Sequence, residues 1–528
     1  MSETKKSIIG GMTILGLSGF ICKLVGALYR IPLAWIVGDS GLGVYQLVFP
    51  TYNMLLTVSS AGIPVAISHM VSSSLARNDP RSAKRVFRLA LSFLVVMGCI
   101  STVLMIAFSP QLARRVGDPE SALGFMMIAP ALVLVCAMSA FRGFMQGQQN
   151  MLPTAISQLI EQVGKVVIIL PMAYFGMSVS PSFAAAMVLL GNTVAEAVAL
   201  VYMLLVYRRK KRNFAAVPQN EGATVVSTGS LARQLFSLSV PVALASCIIP
   251  LAAFIDSGMI LNRLMDAGFS LETGRAMYGR FSGYVISLIN VPTALSIAIA
   301  MSLVPAISGA ITRGDYDGMR RQGGMGLRIS FLIGLPCSIG LSMLSKPILA
   351  MVYDFQSPEA LDMTARLLSL SSLTIVLFTV TQSTEGILQG LRKQRIPMYT
   401  LLAGVAVKIF LNYTLIGMPS IHIFGAPIAS IACYTISMIP NLYFVHKHAQ
   451  MKMDWMGTLL KPGAATLGMA LVLAAALRFF PEGAIWTCLL ILLGIASYAS
   501  FAIGLGAIRR EELMPILNRI VRKNKRTS

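Results

Sequence analysis

The sequence predicts an all-α polytopic membrane protein, and three observations predict it. Apolar runs of about 20 residues or more recur along the whole chain, each long enough to cross a bilayer. Of the 528 residues, 55% are hydrophobic and only 12% charged, with a mean hydropathy of +0.73. The basic residues gather in short clusters between the apolar runs, as the positive-inside rule requires of cytoplasmic loops. Barrel strands alternate over about ten residues, and the runs here are far longer, so helices are the spanning elements. The net charge of +22 has the same distribution. It sets topology and meets anionic lipid heads, and nucleic acid is excluded as a partner.

Fourteen transmembrane segments follow in order. Segment 1 (8–37) is a retained first helix: its run is too long for a secretory leader and lacks a clear A-x-A site. The turn VGDSG (37–41) leads to segment 2 (43–70). Segment 3 (84–110) rises out of the basic cluster RNDPRSAKRVFR (77–88), and segment 4 (121–141) ends at RGFMQGQQNMLP (142–153). Segment 5 (153–175) carries Gln158, Glu161 and Lys165 on one face, and segment 6 (183–207) carries Asn192 and Glu196. Pro241 and Pro250 imply bending in segment 7 (234–262), whose outer half holds Asp256. Segment 8 (278–310) has Arg280 near its outer end and a proline at 292. RGDYDGMRR (313–321) precedes segment 9 (327–352), and segment 10 (364–388) ends at LRKQR (391–395). Segment 11 (397–417) carries Lys408 and Asn412, GMPSIH (417–422) leads to segment 12 (423–445), and segments 13 (456–479) and 14 (484–508) precede the basic tail. All the basic clusters fall on one side of this count, which places both termini in the cytoplasm of a cell-membrane protein.

The most polar stretch, 207–232, divides the first twelve segments into six plus six. The expected organisation is an N-terminal lobe (1–212), a cytoplasmic linker (213–233), a C-terminal lobe (234–448) and a pair of extra helices with a basic tail (449–528). Internal similarity supports a repeat. RGFMQGQQNMLP (142–153) before segment 5 matches EGILQGLRKQRIP (385–397) before segment 11, and a fainter echo links GIPVAISHMV (62–71) with LVPAISGAI (303–311).

Segment 1 poses the sharpest chemical question. Lys23 and Arg30 lie nearly two turns apart on one face, with Gly16, Gly19 and Gly26 between and beside them. Snorkelling to an interface accommodates Arg30 but not Lys23, which lies near mid-bilayer. Intramembrane cations face a bundle interior or a watery cavity, so the stripe reads as cavity lining. Lys165, Arg280 and Lys408 are the further cationic candidates. Glu161 and Lys165 are spaced to pair at i, i+4. Glu161, Glu196 and Asp256 serve either charge pairing or a coupling ion, and Asp256 either binds a cation or pairs with Arg263 or Arg280. The seven cysteines sit in apolar runs without metal spacing. There is no P-loop for ATP, and no nucleophile has a base beside it, so no enzyme, cofactor or metal is expected.

The segments KLVGALYRIPLAWIVGDSGLGVYQLVFPTYN (23–53), IIPLAAFIDSGMILNRL (248–264), LINVPTALSIAIAMSLVPAIS (288–308) and TEGILQGLRKQRIPMY (384–399) resemble the multidrug/oligosaccharidyl-lipid/polysaccharide (MOP) exporter superfamily. Within it the chain looks like the stage V sporulation protein B branch, related to lipid II flippases. The resemblance implies two six-helix lobes in a V, a central cavity and alternating access. Lys23, Gly26 and Arg30 look like the basic pattern on helix 1 of those flippases, with one gap a residue longer. Segment 2 lacks the arginine those flippases carry, and Arg280 lies earlier than the arginine that precedes their helix-8 proline. The implied function is a flippase for an undecaprenyl-pyrophosphate-linked cell-wall precursor, with the lipid-linked glycan, the bilayer and cell-wall synthesis enzymes as partners and a cation as a coupling partner. The alternative is a cation-coupled multidrug exporter of the same superfamily.

Overall fold

A computed structural model describes residues 28–215, 227–451 and 454–507, together with Ser18, Gly19, Ile21, Cys22, Val25 and Gly26. No strand occurs among the described residues. The helices are α1 (Arg30–Ser60), α2 (Ile63–Ala76), α3 (Pro80–Ala107), α4 (Ser109–Arg115), α5 (Ser121–Gly147), α6 (Leu152–Gly164), α7 (Leu170–Met177), α8 (Pro181–Ala215), α9 (Thr228–Ser246), α10 (Ile248–Asp266), α11 (Leu271–Gly279), α12 (Ile286–Thr312), α13 (Tyr316–Met343), α14 (Ser345–Val352), α15 (Pro358–Gly390), α16 (Arg395–Ile416), α17 (Gly425–Ala449), α18 (Lys461–Phe479) and α19 (Ala484–Gly504). Thirteen stretches among the described residues are long and apolar enough to span a membrane. Most of segment 1 lies outside the described residues, so its crossing is not among them. Large apolar side chains stay bare on the spans, such as Val103, Leu471 and Ile485. Water does not tolerate such surfaces, and lipid does.

Local sequence explains the ends and breaks. The loops RNDP and RGDY supply caps: Asp79 accepts from Ser82 N at 2.9 Å, and Asp315 from Gly318 N at 2.7 Å. These satisfy backbone donors that helix starts leave open. Gly38 and Gly62 take positive φ (68° and 79°) and break the run from Arg30 to Ala76, which is too long for one crossing. Segment 7 is two helices, α9 and α10, parted at Cys247. Pro250 falls in the first turn of α10, where its missing N–H costs nothing.

Contacts divide the chain into two compact units. One takes the described residues up to Gly283 together with Ile416–Ile423, and the other takes Tyr284–Leu415 with the described residues from Phe424 on. In the first, α3, α5 and α8 pack around Phe87, Phe141, Phe144 and Tyr207, with ring centroids 4.6–6.0 Å apart. In the second, Leu303, Ile307, Leu327, Ile387, Leu388 and Val445 form the core of α12, α13, α15 and α17. There, α18 and α19 join through Met469, Leu473 and Leu490 packed with Leu344.

Each unit contains the same close helix crossing. A Cβ on Gly143 or Gly147 of α5 would meet Pro64 O or Val71 Cβ of α2, each at 2.7 Å. A Cβ on Gly386 or Gly390 of α15 would meet Ala300 O or Ile307 Cβ of α12, each at 2.8 Å. Ser68 and Val304 complete the two sets, so positions 64, 68 and 71 correspond to 300, 304 and 307. The Q-G repeat therefore marks equivalent packing. The fainter echo is out of register, because it aligns Pro64 with Pro305, five residues from its contact equivalent.

Candidate functional site

The charged side chains of α5, α6 and α8 meet inside the first unit. Lys165 Nζ lies 2.7 Å from Glu161 Oε1 and 3.3 Å from Glu196 Oε1, and Arg142 Nη2 donates to Glu161 Oε2 at 3.1 Å. Arg142 Nε also donates to Ser157 Oγ at 2.9 Å. Glu196 is almost fully buried, with its second oxygen enclosed and without a hydrogen bond among the described residues. Two cations thus meet two carboxylates, as charges removed from water must.

Helix geometry explains the meeting. Glu161 on α6 and Lys165, the first residue after it, are one turn apart, so both reach the same neighbours. A π turn over Lys165–Ile169 follows directly and leads into Pro171. Proline cannot donate its N–H to the preceding turn, and the widened turn absorbs that loss. A second π turn, Arg280–Val285, likewise begins at a charged residue.

Cys22 and Gly26 of segment 1 lie beside this cluster. A Cβ on Gly26 would meet Gln162 Oε1 at 3.2 Å, so that glycine lets the two helices approach. Cys22 lies within electrostatic reach of Glu161, Arg142 and Lys165. Arg30, half-buried, sits near the buried Tyr45. Lys23 lies outside the described residues. Asp256 is buried on α10. Of the two arginines considered for it, Arg263 pairs with Asp266 at 2.8 Å and Arg280 with Asp39. Lys408 is half-buried on α16 and belongs to the second unit.

A second charge network closes the opposite end of the first unit. Arg275 Nη2 lies 2.6 Å from Asp118 Oδ1, and its Nη1 lies 3.0 Å from Glu120 Oε2. Ser182 Oγ donates to Glu120, and Arg280 pairs with Asp39 of the VGDSG turn. Burial pushes the Asp118 carboxyl above its ordinary range despite Arg275. Glu120 moves the other way, held down by the Ser182 hydrogen bond and by Arg275. A cavity of about 680 Å³ adjoins this network, lined among others by Ser40, Ser182, Glu272 and Arg275.

Sequence reasoning placed Glu161, Lys165 and Glu196 as candidates, and the structure brings them together. Arg142, Asp118, Glu120 and Arg275 were missed. Arg142 stood in plain view as the residue before the first Gly of the repeat, but its partner is 19 residues away on the next helix. The loop acids were missed because loop charges are ordinarily solvated and their partner is 155 or more residues distant.

Comparison with known proteins fits this architecture. Residues 8–310 match the family described as polysaccharide biosynthesis protein, and 282–414 match the MatE family. The lipid II flippase MurJ of Bacillus subtilis (strain 168) is 26% identical over 459 residues, covering 84% of this chain and 83% of that one. Stage V sporulation protein B of the same organism is 25% identical over 431 residues, covering 80% and 81%. A solved structure of lipid II flippase MurJ in an inward closed conformation shares the fold with a TM-score of 0.71 at 12% identity, covering 93% of this chain and 98% of that one. The chain is a member of the polysaccharide biosynthesis protein family, within the MOP exporter superfamily.

Proposed function

We propose that the protein is a flippase that carries an undecaprenyl-pyrophosphate-linked cell-wall precursor or oligosaccharide from the inner to the outer leaflet by alternating access. The coarser statement, a multi-pass transporter of lipid-linked precursors, rests on relatives that span most of the chain. The finer one rests on one observation: Gly26, which stands between Lys23 and Arg30 in sequence, packs against Gln162 beside a cluster whose own charges cancel. Arg142 and Lys165 are matched by Glu161 and Glu196. In this reading Lys23 and Arg30 are the cations of segment 1 that meet the substrate. A pyrophosphate is the anion that such a pair of cations recognises, with Arg30 as a fork and Lys23 as a point charge. Lys408 is the further cation of this reading, whereas Lys165 is held by Glu161 and Glu196 and Arg280 by Asp39.

In the same reading both termini are cytoplasmic, the lobes 1–212 and 234–448 are the moving bodies, and the chain works beside cell-wall synthesis enzymes. No bond is made or broken. A flipping assay on the reconstituted protein tests the substrate class, using lipid-linked glycans that carry pyrophosphate and analogues with an uncharged linkage. Transport confined to the pyrophosphate lipids is expected. Transport of cationic drugs without transport of these lipids would instead establish the multidrug exporter reading.

A further inference from the structure

A second cavity, of about 550 Å³, opens in the second unit where α13, α14 and α15 meet. Ser342, Lys346, Asp362, Arg366, Leu370 and Leu373 line it. The four from α15 recur every three or four residues, so they share one face of that helix. At about 1.5 Å per residue they extend roughly 16 Å along its axis. This face is charged at its start and apolar at its end. Leu373 is 40% exposed and lies within Pro358–Gly390, a run long and apolar enough to span a membrane. The cavity is thus a groove that begins among charges near a helix end and continues onto apolar surface, which lipid tolerates and water does not.

The polar groups at its head are incompletely used. Lys346 Nζ lies 2.8 Å from Asp362 Oδ1, but the two side chains are 49% and 50% exposed. Exposed pairs of this kind are weak, so Lys346 is open to a second anion. Glu482 also lies within electrostatic reach of Lys346, which leaves Arg366 as the stronger anchor. Arg366 is exposed and has no ion pair or hydrogen bond among the described residues. Ser342 and Ser369 share one hydrogen bond at 2.7 Å, which leaves the other hydroxyl proton without an acceptor among the described residues. Neither cation belongs to the basic clusters that set topology, and the cluster LRKQR (391–395) follows the opposite end of α15. The positive-inside rule therefore supplies no reason for them.

An unpaired guanidinium, an ammonium that can be shared and a free hydroxyl proton suit the oxygens of a phosphate. The apolar floor below them suits an acyl chain, and basic pockets between membrane helices hold anionic lipid headgroups in this way. We propose that the groove binds one anionic phospholipid of the surrounding bilayer, with its phosphate on Arg366 and Lys346 and an acyl chain along Leu370 and Leu373. The site is independent of the transporter reading above.

The experiment places the full-length protein in liposomes with subsaturating phosphatidylglycerol that carries a photoactivatable diazirine on its acyl chain. Cross-linked peptides are mapped by mass spectrometry. Wild type is expected to be labelled around Leu370 and Leu373. Losing one charge-assisted contact in Arg366→Gln should cut that labelling about tenfold, whereas Arg366→Lys should keep most of it. The matching phosphatidylcholine probe should label this stretch weakly. Equal labelling of wild type and a folded Arg366→Gln would overturn the proposal, and so would equal labelling by the two probes, which marks ordinary bilayer contact. Excess inorganic phosphate or a lipid-linked pyrophosphate glycan should leave the labelling in place. Displacement by the first would make this a free-phosphate site and by the second a substrate site, and either would overturn the assignment to a phospholipid.

Discussion

At the scale of single residues, the intramembrane cluster distinguishes two glutamates that sequence treats alike. Glu161 is shared by Arg142 and Lys165, whereas among the described residues Glu196 pairs only with Lys165, and at the longer distance of 3.3 Å. Removing Glu161 leaves two cations in low dielectric with one carboxylate between them. Breaking a buried pair by deleting one partner costs roughly 3–5 kcal/mol. Glu161→Gln should therefore lower thermal stability in nanodiscs by about that amount. Glu196→Gln should cost less, because Lys165 keeps its 2.7 Å partner. Equal losses in a melting experiment would show that the two carboxylates share the load. A single sequence displays Glu161 and Lys165 as an i, i+4 pair, but it cannot display the third and fourth members. Those come from neighbouring helices whose facing registers are set by packing.

At the scale of elements, the loop network ties α11 to the turns before α5 and α8. Asp118 is fully buried, yet one of its oxygens and Arg275 Nε have no hydrogen-bond partner among the described residues. The pair is thus incompletely compensated, and a double-mutant cycle measures it. Arg275→Met strands Asp118 and should destabilise by roughly 3–5 kcal/mol, whereas adding Asp118→Asn should recover most of the loss. Additive losses would mean the two side chains act independently.

The same network has a pH signature. Glu120 titrates below its ordinary 4.5, so its stabilisation is complete above that value and is lost as pH falls through the lowered one. Asp118 titrates above its ordinary 3.8, so its contribution falls as pH rises from 3.8 through the raised value. Melting curves should show Glu120→Gln losing the acid-side decline and Asp118→Asn losing the opposite one. Unchanged slopes in either variant would remove that group from the linkage. None of this was visible in GDPES (117–121) as a string, because loop acids reveal burial only once the helices are placed.

At the scale of the whole molecule, the apolar runs and the VGDSG turn at Gly38 were legible because each is a local property. Three features were not. Segment 7 reads as one bent helix because Cys247, where it parts, carries no breaker. The faint echo at 303–311 misleads by five residues because it follows proline, while the crossing is governed by which backbone the glycines touch. The inward-facing charges reveal their sign in sequence but not their sum. Orientation is testable at this scale through the basic cluster 207–212. A cysteine placed by Ser230→Cys, in a background lacking the native cysteines, should resist impermeant thiol reagents in intact cells. Ready labelling would reverse the inside and outside of every loop.

The proposed function turns on Lys23 and Arg30 of segment 1 binding the pyrophosphate of a lipid-linked substrate. Its most direct test is the rate of lipid-linked pyrophosphate substrate flipping in liposomes by Lys23→Ala, Arg30→Ala and Arg30→Lys, each confirmed as folded by its melting curve. The account predicts severe loss for both alanine variants and partial loss for Arg30→Lys, because lysine keeps the charge but not the planar fork. Folded alanine variants that flip the substrate at the wild-type rate would contradict it.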